Sequence, residues 1–238
     1  MLSRLRQATR RFLPEWRGKW KRKAHFDLWF WLRSSRFEDR HAAKAEFIWW
    51  LKNHAKRAKN YPLWAKELHF EGPTIAVKML DVGCGPLGGM LSLYPLAQCV
   101  GIDPLAKLYR ETWTQQCNLY TWEEASRLVA PQWAEVVWCI DVLDHCQDPA
   151  SVLREIARLT APGGRLYLYV DARPDAKRNL LHPSPMTAER VLRLLAGEWE
   201  ISLGRAYGRD PVKGRYPGLY LTCTRRTQLN KSMEESTP

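Results

Sequence analysis

The chain has 238 residues, of which 45% are hydrophobic and 26% are charged, and its formal net charge is +12. This composition is typical of a globular protein with one sizeable core. It contains no run of about 18 apolar residues and no N-terminal apolar segment of signal-peptide length, so we expect neither a transmembrane helix nor secretion by that route. The six cysteines form no Cys-x-x-Cys pair and no cluster with zinc spacing, which indicates a reducing, cytoplasmic compartment and predicts no metal site.

The positive charge is concentrated in the first quarter of the chain. Residues 1–60 hold 17 Lys/Arg and 5 Asp/Glu, whereas residues 61–238 hold 20 of each. Positions 47, 50, 51, 54 and 58 follow the spacing of one helix face. Asn60-Tyr61-Pro62 ends this helix, because the residue before a proline avoids the α conformation. We therefore predict a basic, Trp-rich helical extension or cap over residues 1–70.

This basic segment is open to three interpretations. It is a helical cap on a ligand site, a membrane-surface helix that binds anionic lipid, or an arm that binds nucleic acid through cations and aromatic rings. The second implies a cytoplasmic protein peripheral to the membrane. The third has no support beyond the charge and is the weaker alternative.

Residues 71–226 alternate between apolar runs typical of strands and helix-like segments. The strand-like runs are 76–82, 98–103, 117–120, 134–140, 165–171, 199–207 and 217–224, and the clearest helices are 149–160 and 186–196. Such alternation predicts an α/β fold, a mostly parallel sheet with helices on both faces. The last two runs are predicted to form an antiparallel hairpin at one edge, and the polar residues 227–238 a flexible tail.

A glycine-rich loop follows the first strand of this segment. Its core is Gly83-Cys84-Gly85-Pro86, and Asp103 ends the second strand about 20 residues later. Ligands of open α/β sheets bind at such strand ends, where a carboxylate can accept from ribose hydroxyls. Two features argue against a dinucleotide. Asp81 would repel a pyrophosphate, and Pro86 removes a backbone N–H where phosphate should be bound.

Four motifs in order resemble those of class I S-adenosylmethionine-dependent methyltransferases. They are Leu80-Asp81-Val82-Gly83-Cys84-Gly85, Gly101-Ile102-Asp103, the run from Cys139 to Pro149, and the run from Leu153 to Gly164. The resemblance implies a Rossmann-like, doubly wound sheet of seven strands with the last strand antiparallel. It also implies S-adenosylmethionine as cofactor, held by Asp81, Gly83, Cys84, Gly85, Pro86, Asp103, Pro104, Asp141 and Val142. The third strand lacks the family's usual Gly-Asp, so the adenine contact is unassigned, with Trp122 or Glu123 as guesses.

The function that follows is methyl transfer to the oxygen or nitrogen of a small-molecule or lipid-like acceptor. His145 is the nearest candidate for a catalytic base, because an imidazole can exchange a proton near neutrality. The alternative is that it caps a loop or the start of a helix. His182 lies in a connection that often covers the substrate in such enzymes, or it is an ordinary surface histidine. The alternatives are an RNA methyltransferase, or a non-catalytic module that binds membrane or nucleic acid.

Overall fold

The computed structural model describes residues 40–227, apart from 71, 73–76, 95–97, 113–117, 174–178, 180 and 215. Two helices, α1 (Arg40–Ala58) and α2 (Tyr61–Glu67), precede the sheet. The elements that follow are β1 (Lys78–Val82), a 3₁₀ turn (Gly89–Leu93), β2 (Gln98–Ile102), α3 (Ala106–Thr112), β3 (Asn118–Tyr120), α4 (Trp122–Leu128), β4 (Ala134–Ile140), a second 3₁₀ turn (Leu143–His145), α5 (Pro149–Leu159), β5 (Thr160–Asp171), α6 (Ala188–Leu195), β6 (Trp199–Tyr207) and β7 (Gly218–Arg225).

The seven strands form one sheet in the order β3-β2-β1-β4-β5-β7-β6. All neighbouring pairs are parallel except those of β7, which runs antiparallel to both β5 and β6. The chain winds outward from β1 through β2 to β3 and then returns to place β4 on the other side of β1. The crevice between the carboxyl ends of β1 and β4 is therefore the topological switch point, where ligands of such sheets bind.

Each face of the sheet carries its own apolar core. On one face α5 and α6 bury aliphatic residues against the strands, including Leu153, Ile156 and Leu195. On the other face α2 and the first 3₁₀ turn cover an aromatic cluster in which Trp64 and Trp138 are fully buried. Because α2 fills this second face, it is part of the sheet's packing, and the domain boundary at residue 70 stays a prediction.

The predicted seven-stranded, doubly wound sheet with its last strand antiparallel is confirmed, and each strand-like run contains a strand. Helix α1 ends at Ala58, just before the predicted Asn60-Tyr61-Pro62 stop. The predicted reason is wrong, because Tyr61 is itself helical: it begins α2, and Pro62 is accommodated in the first turn of that helix. The segment after the glycine loop forms only a five-residue 3₁₀ turn, because Gly88 and Gly89 both have positive φ and glycine is a poor helix former.

Two predictions, the basic extension and the flexible tail, fall at the ends of the chain. Residues 1–39 and 228–238 lie outside the described residues, and with them the extension upstream of α1 and most of the predicted tail. Within the part that is described, no helix combines the length and the apolar character needed to span a bilayer.

Candidate active site

The loop after β1 makes a tight bend against the loop after β4. Gly83 and Gly85 have φ of +70° and +63°, a region that glycine enters without steric strain. The N–H of Gly83 donates to the carbonyl of Ile102 over 2.7 Å, which ties the bend to β2. A Cβ on Gly83 would lie 2.3 Å from Cγ2 of Val142. Glycine is therefore required at this position if the two loops are to meet.

Asp103 closes β2 directly opposite this bend. One carboxylate oxygen accepts from the N–H of Gly85 over 3.0 Å, and the other accepts from the N–H of Leu105 over 2.9 Å. The residue is 6% exposed. Burial raises the pKa of Asp103 to about 7, with a smaller contribution from the nearby carboxylate of Glu46, although the two N–H donors oppose the shift.

Asp81 lies beneath the first 3₁₀ turn. Its carboxylate accepts from the N–H of Met90 over 2.6 Å, and the residue is 2% exposed. Burial raises the pKa of Asp81 well above its ordinary value, against the pull of the Met90 and Leu91 N–H groups. Asp81 thus holds the turn in place, and its expected contact with the cofactor stays a prediction.

Helix α1 covers the bend from outside the sheet. Trp50 is 5% exposed, and its ring lies so close to Gly85 that a Cβ there would be 2.4 Å from Cζ2. Phe47, one turn earlier, stacks on Tyr109 of α3 at a centroid distance of 6.0 Å. The space beside Gly85 is therefore occupied by a side chain of the protein itself.

Asp141 follows β4 and is held by two cations. Nη1 of Arg57 donates to one carboxylate oxygen over 2.7 Å, and Nζ of Lys213 donates to the other over 2.6 Å. The same lysine reaches Asp171 over 3.0 Å. Burial alone would raise the pKa of Asp141, but the ammonium of Lys213 and the guanidinium of Arg57 outweigh it and hold that pKa below its ordinary value. The pairs link α1, β4 and the loop before β7.

The other predicted contacts are placed as follows. Cys84 and Pro86 are buried within the bend, whereas Pro104 is exposed after Asp103. Trp122 and Glu123 open α4, and Glu123 is exposed. Trp122 lines a groove between α4 and α5 with Ser126 and Arg158. Both remain guesses for the adenine contact.

His145 ends the 3₁₀ turn that follows β4, three residues after Val142. The centroid of its ring lies 4.4 Å from that of His182, which belongs to the connection between β5 and α6. Both rings adjoin the buried carboxylate of Asp144. The structure therefore brings together two histidines that are 37 positions apart. The catalytic role of His145 and the substrate-covering role of His182 stay predictions.

Two residues at the site were not predicted as site residues. Arg57 and Lys213 both reach Asp141, yet one lies on a helix before the sheet and the other in a late loop. Helical periodicity identified the buried side of α1 but could not identify what it packs against. Lys213 lies in a Gly/Pro-rich connection that carried no signal beyond its composition.

The chemistry of these side chains fits S-adenosylmethionine. An ionised carboxylate offers about four acceptor positions, so Asp103 can accept from two ribose hydroxyls in addition to its two backbone donors. Nε of Arg57 is buried with no hydrogen-bond partner among the described residues, and the guanidinium lies over the ring of Trp64 at 4.3 Å. Trp50 narrows the crevice beside Gly85.

Comparison with known proteins agrees with this geometry. Residues 80–168 match a family described as a methyltransferase domain. A ubiquinone biosynthesis O-methyltransferase of Stutzerimonas stutzeri is 31% identical over 177 residues, which cover 70% of this chain and 66% of the relative. A protein with the same name from Albidiferax ferrireducens is 38% identical over 153 residues, covering 60% of this chain and 55% of that one. Across the similar ubiquinone biosynthesis O-methyltransferases, the matched regions span between 40% and 66% of the relatives' own lengths.

Solved structures show the same fold. The 1,6-didemethyltoxoflavin-N1-methyltransferase of Burkholderia thailandensis, crystallised with S-adenosylhomocysteine, superposes with a TM-score of 0.58 at 15% identity, covering 78% of this chain and 88% of that one. A methyltransferase of Methanosarcina mazei gives a TM-score of 0.52 at 16% identity, covering 66% of this chain and 95% of that one. With its motifs in order on this sheet, the chain belongs to the class I S-adenosylmethionine-dependent methyltransferases.

Proposed function

We propose that the chain transfers a methyl group from S-adenosylmethionine to an oxygen of a small-molecule or lipid-like acceptor. The observation that carries the proposal is the meeting of three strand ends, where Gly85 donates to Asp103 and Gly83 packs on Val142. Oxygen is favoured over nitrogen because the matched relatives are O-methyltransferases by name.

Each residue has a distinct part in holding the cofactor. Asp103 accepts from the ribose hydroxyls, and the glycine bend lets the backbone lie against the ligand. Arg57, held in place by Asp141, directs its free Nε toward the ligand carboxylate. The cofactor, when bound, supplies an electrophilic methyl group on a sulfonium, whereas the protein supplies alignment and a dry crevice.

Ligand entry requires the ring of Trp50 to move from its place beside Gly85. Helix α1 then acts as a cap, because Trp50 and Phe47 cover the bend while Arg57 anchors the helix to β4. Such a cap excludes water from the crevice during the transfer. On the acceptor side, His145 follows the loop after β4 and is the candidate to take the proton of an acceptor hydroxyl.

Calorimetry with S-adenosylhomocysteine tests the cofactor site. We expect Asp103→Ala to weaken binding by at least about tenfold, since the loss of a charged hydrogen-bond partner costs about 1.5–3 kcal/mol. Asp148→Ala is the matched control, because Asp148 caps α5 at the same edge of the sheet with a side chain that is 63% exposed. The proposal fails if the full chain binds neither cofactor nor product at about millimolar concentration.

The acceptor is to be identified by untargeted metabolite profiling with a labelled methyl donor, comparing the wild type with Asp103→Ala. A labelled product that depends on Asp103 supports the proposal. Label that appears only in protein or RNA contradicts a small-molecule acceptor and selects one of the other classes.

We propose, second, that residues 1–60 contact an anionic membrane surface. The segment carries an excess of 12 positive charges, and Lys52, Lys56 and Lys59 lie on the exposed side or end of α1. Sedimentation with vesicles tests it. Vesicles that contain anionic lipid should retain the protein at low salt, and wholly zwitterionic vesicles should not. Equal recovery with both, or tighter binding to RNA than to anionic vesicles, contradicts the membrane contact.

A further inference from the structure

The carboxyl end of β4 carries a compact group of three potential metal ligands, which we call the Asp144 cluster: Asp144, His145 and His182. One nitrogen or oxygen atom from each lies within 4.8 Å of the others. Asp144 and His145 belong to the 3₁₀ turn after β4, and His182 comes from the connection after β5. The cluster therefore assembles only in the folded chain.

The carboxylate of Asp144 is only half satisfied. Its Oδ2 lies 2.7 Å from Nδ1 of His182. Its Oδ1 is buried and has no hydrogen-bond partner among the described residues, and the nearest imidazole nitrogen, Nε2 of His145, is 4.0 Å away. The side chain is 2% exposed, so bulk water has little access to it. A buried carboxylate oxygen without a partner carries a desolvation penalty that a cation would remove.

The nearest described cation, Arg173, pairs only distantly with the other oxygen of this carboxylate. Arg173 places Nη2 4.0 Å from Oδ2, beyond hydrogen-bond distance, and its guanidinium lies over the ring of Tyr216 at 4.3 Å. Cys146 is adjacent, but its thiol already donates to the carbonyl of Val142 over 3.3 Å.

We propose that Asp144, His145 and His182 bind one divalent transition-metal ion. Two imidazoles and one carboxylate are a ligand set suited to zinc, cobalt, nickel or iron, and three protein ligands leave positions for water or substrate. Oδ1 of Asp144 is the carboxylate ligand, because it is the oxygen without another partner among the described residues. Nε2 of His145 faces it across a 4.0 Å gap.

The site would act on the methyl acceptor, and this consequence rests on the proposed function. The cluster begins two residues after Val142, beside the proposed cofactor crevice. An acceptor hydroxyl bound to the ion loses its proton to solvent more easily. Its oxygen would then form a bond to the methyl carbon as the carbon–sulfur bond breaks, and the electron pair of the broken bond would stay on sulfur. In this arrangement His145 is a metal ligand and not the proton acceptor.

Metal titration of the full chain tests the site. The protein, prepared without a polyhistidine tag and treated with chelator, is titrated with Co²⁺ and with Zn²⁺ by visible absorption and calorimetry. We expect one ion per chain with d–d absorption and no thiolate-to-cobalt charge transfer. Asp144→Asn and His182→Gln should each weaken the affinity by at least about tenfold, because removing a ligand costs no less than removing its supporting partner.

His69→Asn is the matched control. His69 is exposed just beyond the end of α2, and its φ of +54° is tolerated by asparagine. This variant should bind Co²⁺ as the wild type does. Far-ultraviolet circular dichroism checks that each variant folds, and His182→Gln decides the question if Asp144→Asn does not.

Three outcomes overturn the proposal: no cobalt spectrum, a spectrum with thiolate character, or an affinity that the cluster variants leave unchanged. Calorimetry with S-adenosylhomocysteine on the same samples separates the two proposals. Cobalt binding without binding of the cofactor product supports the metal site and contradicts the proposed function. Binding of the cofactor product without cobalt binding supports the proposed function and contradicts the metal site.

Discussion

In the proposed cofactor site, Asp103 is the residue whose ionisation should affect ligand binding most. Its burial opposes the charged form, and the charged side chain that adds to this shift is another carboxylate, that of Glu46, so that the pKa of Asp103 rises to about 7. Ribose hydroxyls can donate to the ionised carboxylate and so stabilise the charge. In the proposed site, cofactor binding would therefore be coupled to loss of the Asp103 proton, and the pKa of Asp103 would be lower in the complex than in the free protein.

The affinity for S-adenosylhomocysteine should consequently rise with pH up to about 7 and level off above it. Below that value it should fall by as much as about tenfold per pH unit, the limit for one proton. Calorimetry at a series of pH values measures this slope. Asp103→Asn keeps the neighbouring Glu46 and Asp81 but cannot titrate, so its profile should be flatter. An identical slope in this variant would assign the pH dependence to another group.

Gly85 illustrates a second constraint at the same scale. A Cβ there meets the ring of Trp50 at 2.4 Å, and φ is +63°. Gly214 has a φ of +68°, and nothing lies within 4 Å of the position that a Cβ would take there, so it isolates the backbone strain. We expect Gly214→Ala to cost about 1 kcal/mol and Gly85→Ala about 1–3 kcal/mol more.

Urea unfolding measures both free energies. Repeating Gly85→Ala in a Trp50→Ala background removes the overlap, so the remaining penalty should approach that of Gly214→Ala. If the two glycine substitutions lower the free energy of unfolding equally in the wild-type background, then the Trp50 ring moves aside without cost and does not close the bend.

At the scale of elements, the sequence predicted the positions of the strands better than the contacts between distant segments. Alternating apolar runs locate β1 to β7 because burial on a sheet has a local period. The site depends instead on contacts between distant segments, such as Arg57 with Asp141 and His182 with Asp144. Local patterns contain no such information. They located Gly83, Gly85 and Asp103 because these residues follow predicted strands, and the motif resemblance then supported that choice.

Helix α1 is anchored to the sheet by the buried ion pairs of Asp141. Arg57 and Asp141 have side chains that are each 10% exposed, so solvent screens the pair weakly. Arg57→Met removes one partner and leaves Asp141 with Lys213 alone, and we expect a loss of about 2–4 kcal/mol in the free energy of unfolding. Lys52→Met, on the exposed side of the same helix, should change it by less than about 0.5 kcal/mol.

Denaturant unfolding of both variants shows whether α1 is held by the ion pair or by apolar packing alone. Equal stabilities would mean that apolar packing alone holds α1 in place. A lower stability of Arg57→Met accompanied by weaker binding of S-adenosylhomocysteine would further support a contact between Arg57 and the ligand carboxylate.

At the scale of the whole molecule, the described end of the basic segment packs directly against the sheet domain. Phe47 and Trp50 are buried with Cys84 and Tyr109, which belong to the sheet domain. The alternatives for residues 1–60 therefore make different demands. A cap contributes to cofactor binding, whereas a separate arm for membrane or nucleic acid does not.

Deletion of residues 1–60 tests the cap in its simplest form. We expect the shortened chain to bind S-adenosylhomocysteine at least about tenfold more weakly, because Arg57 no longer donates and the apolar cover over the bend is lost. Circular dichroism and a melting curve establish whether the shortened chain folds, and Trp50→Ala with Arg57→Met in the full chain provides the same test if it does not. Cofactor affinity that is unchanged in a folded chain, together with loss of vesicle binding, would show instead that residues 1–60 form a separate arm.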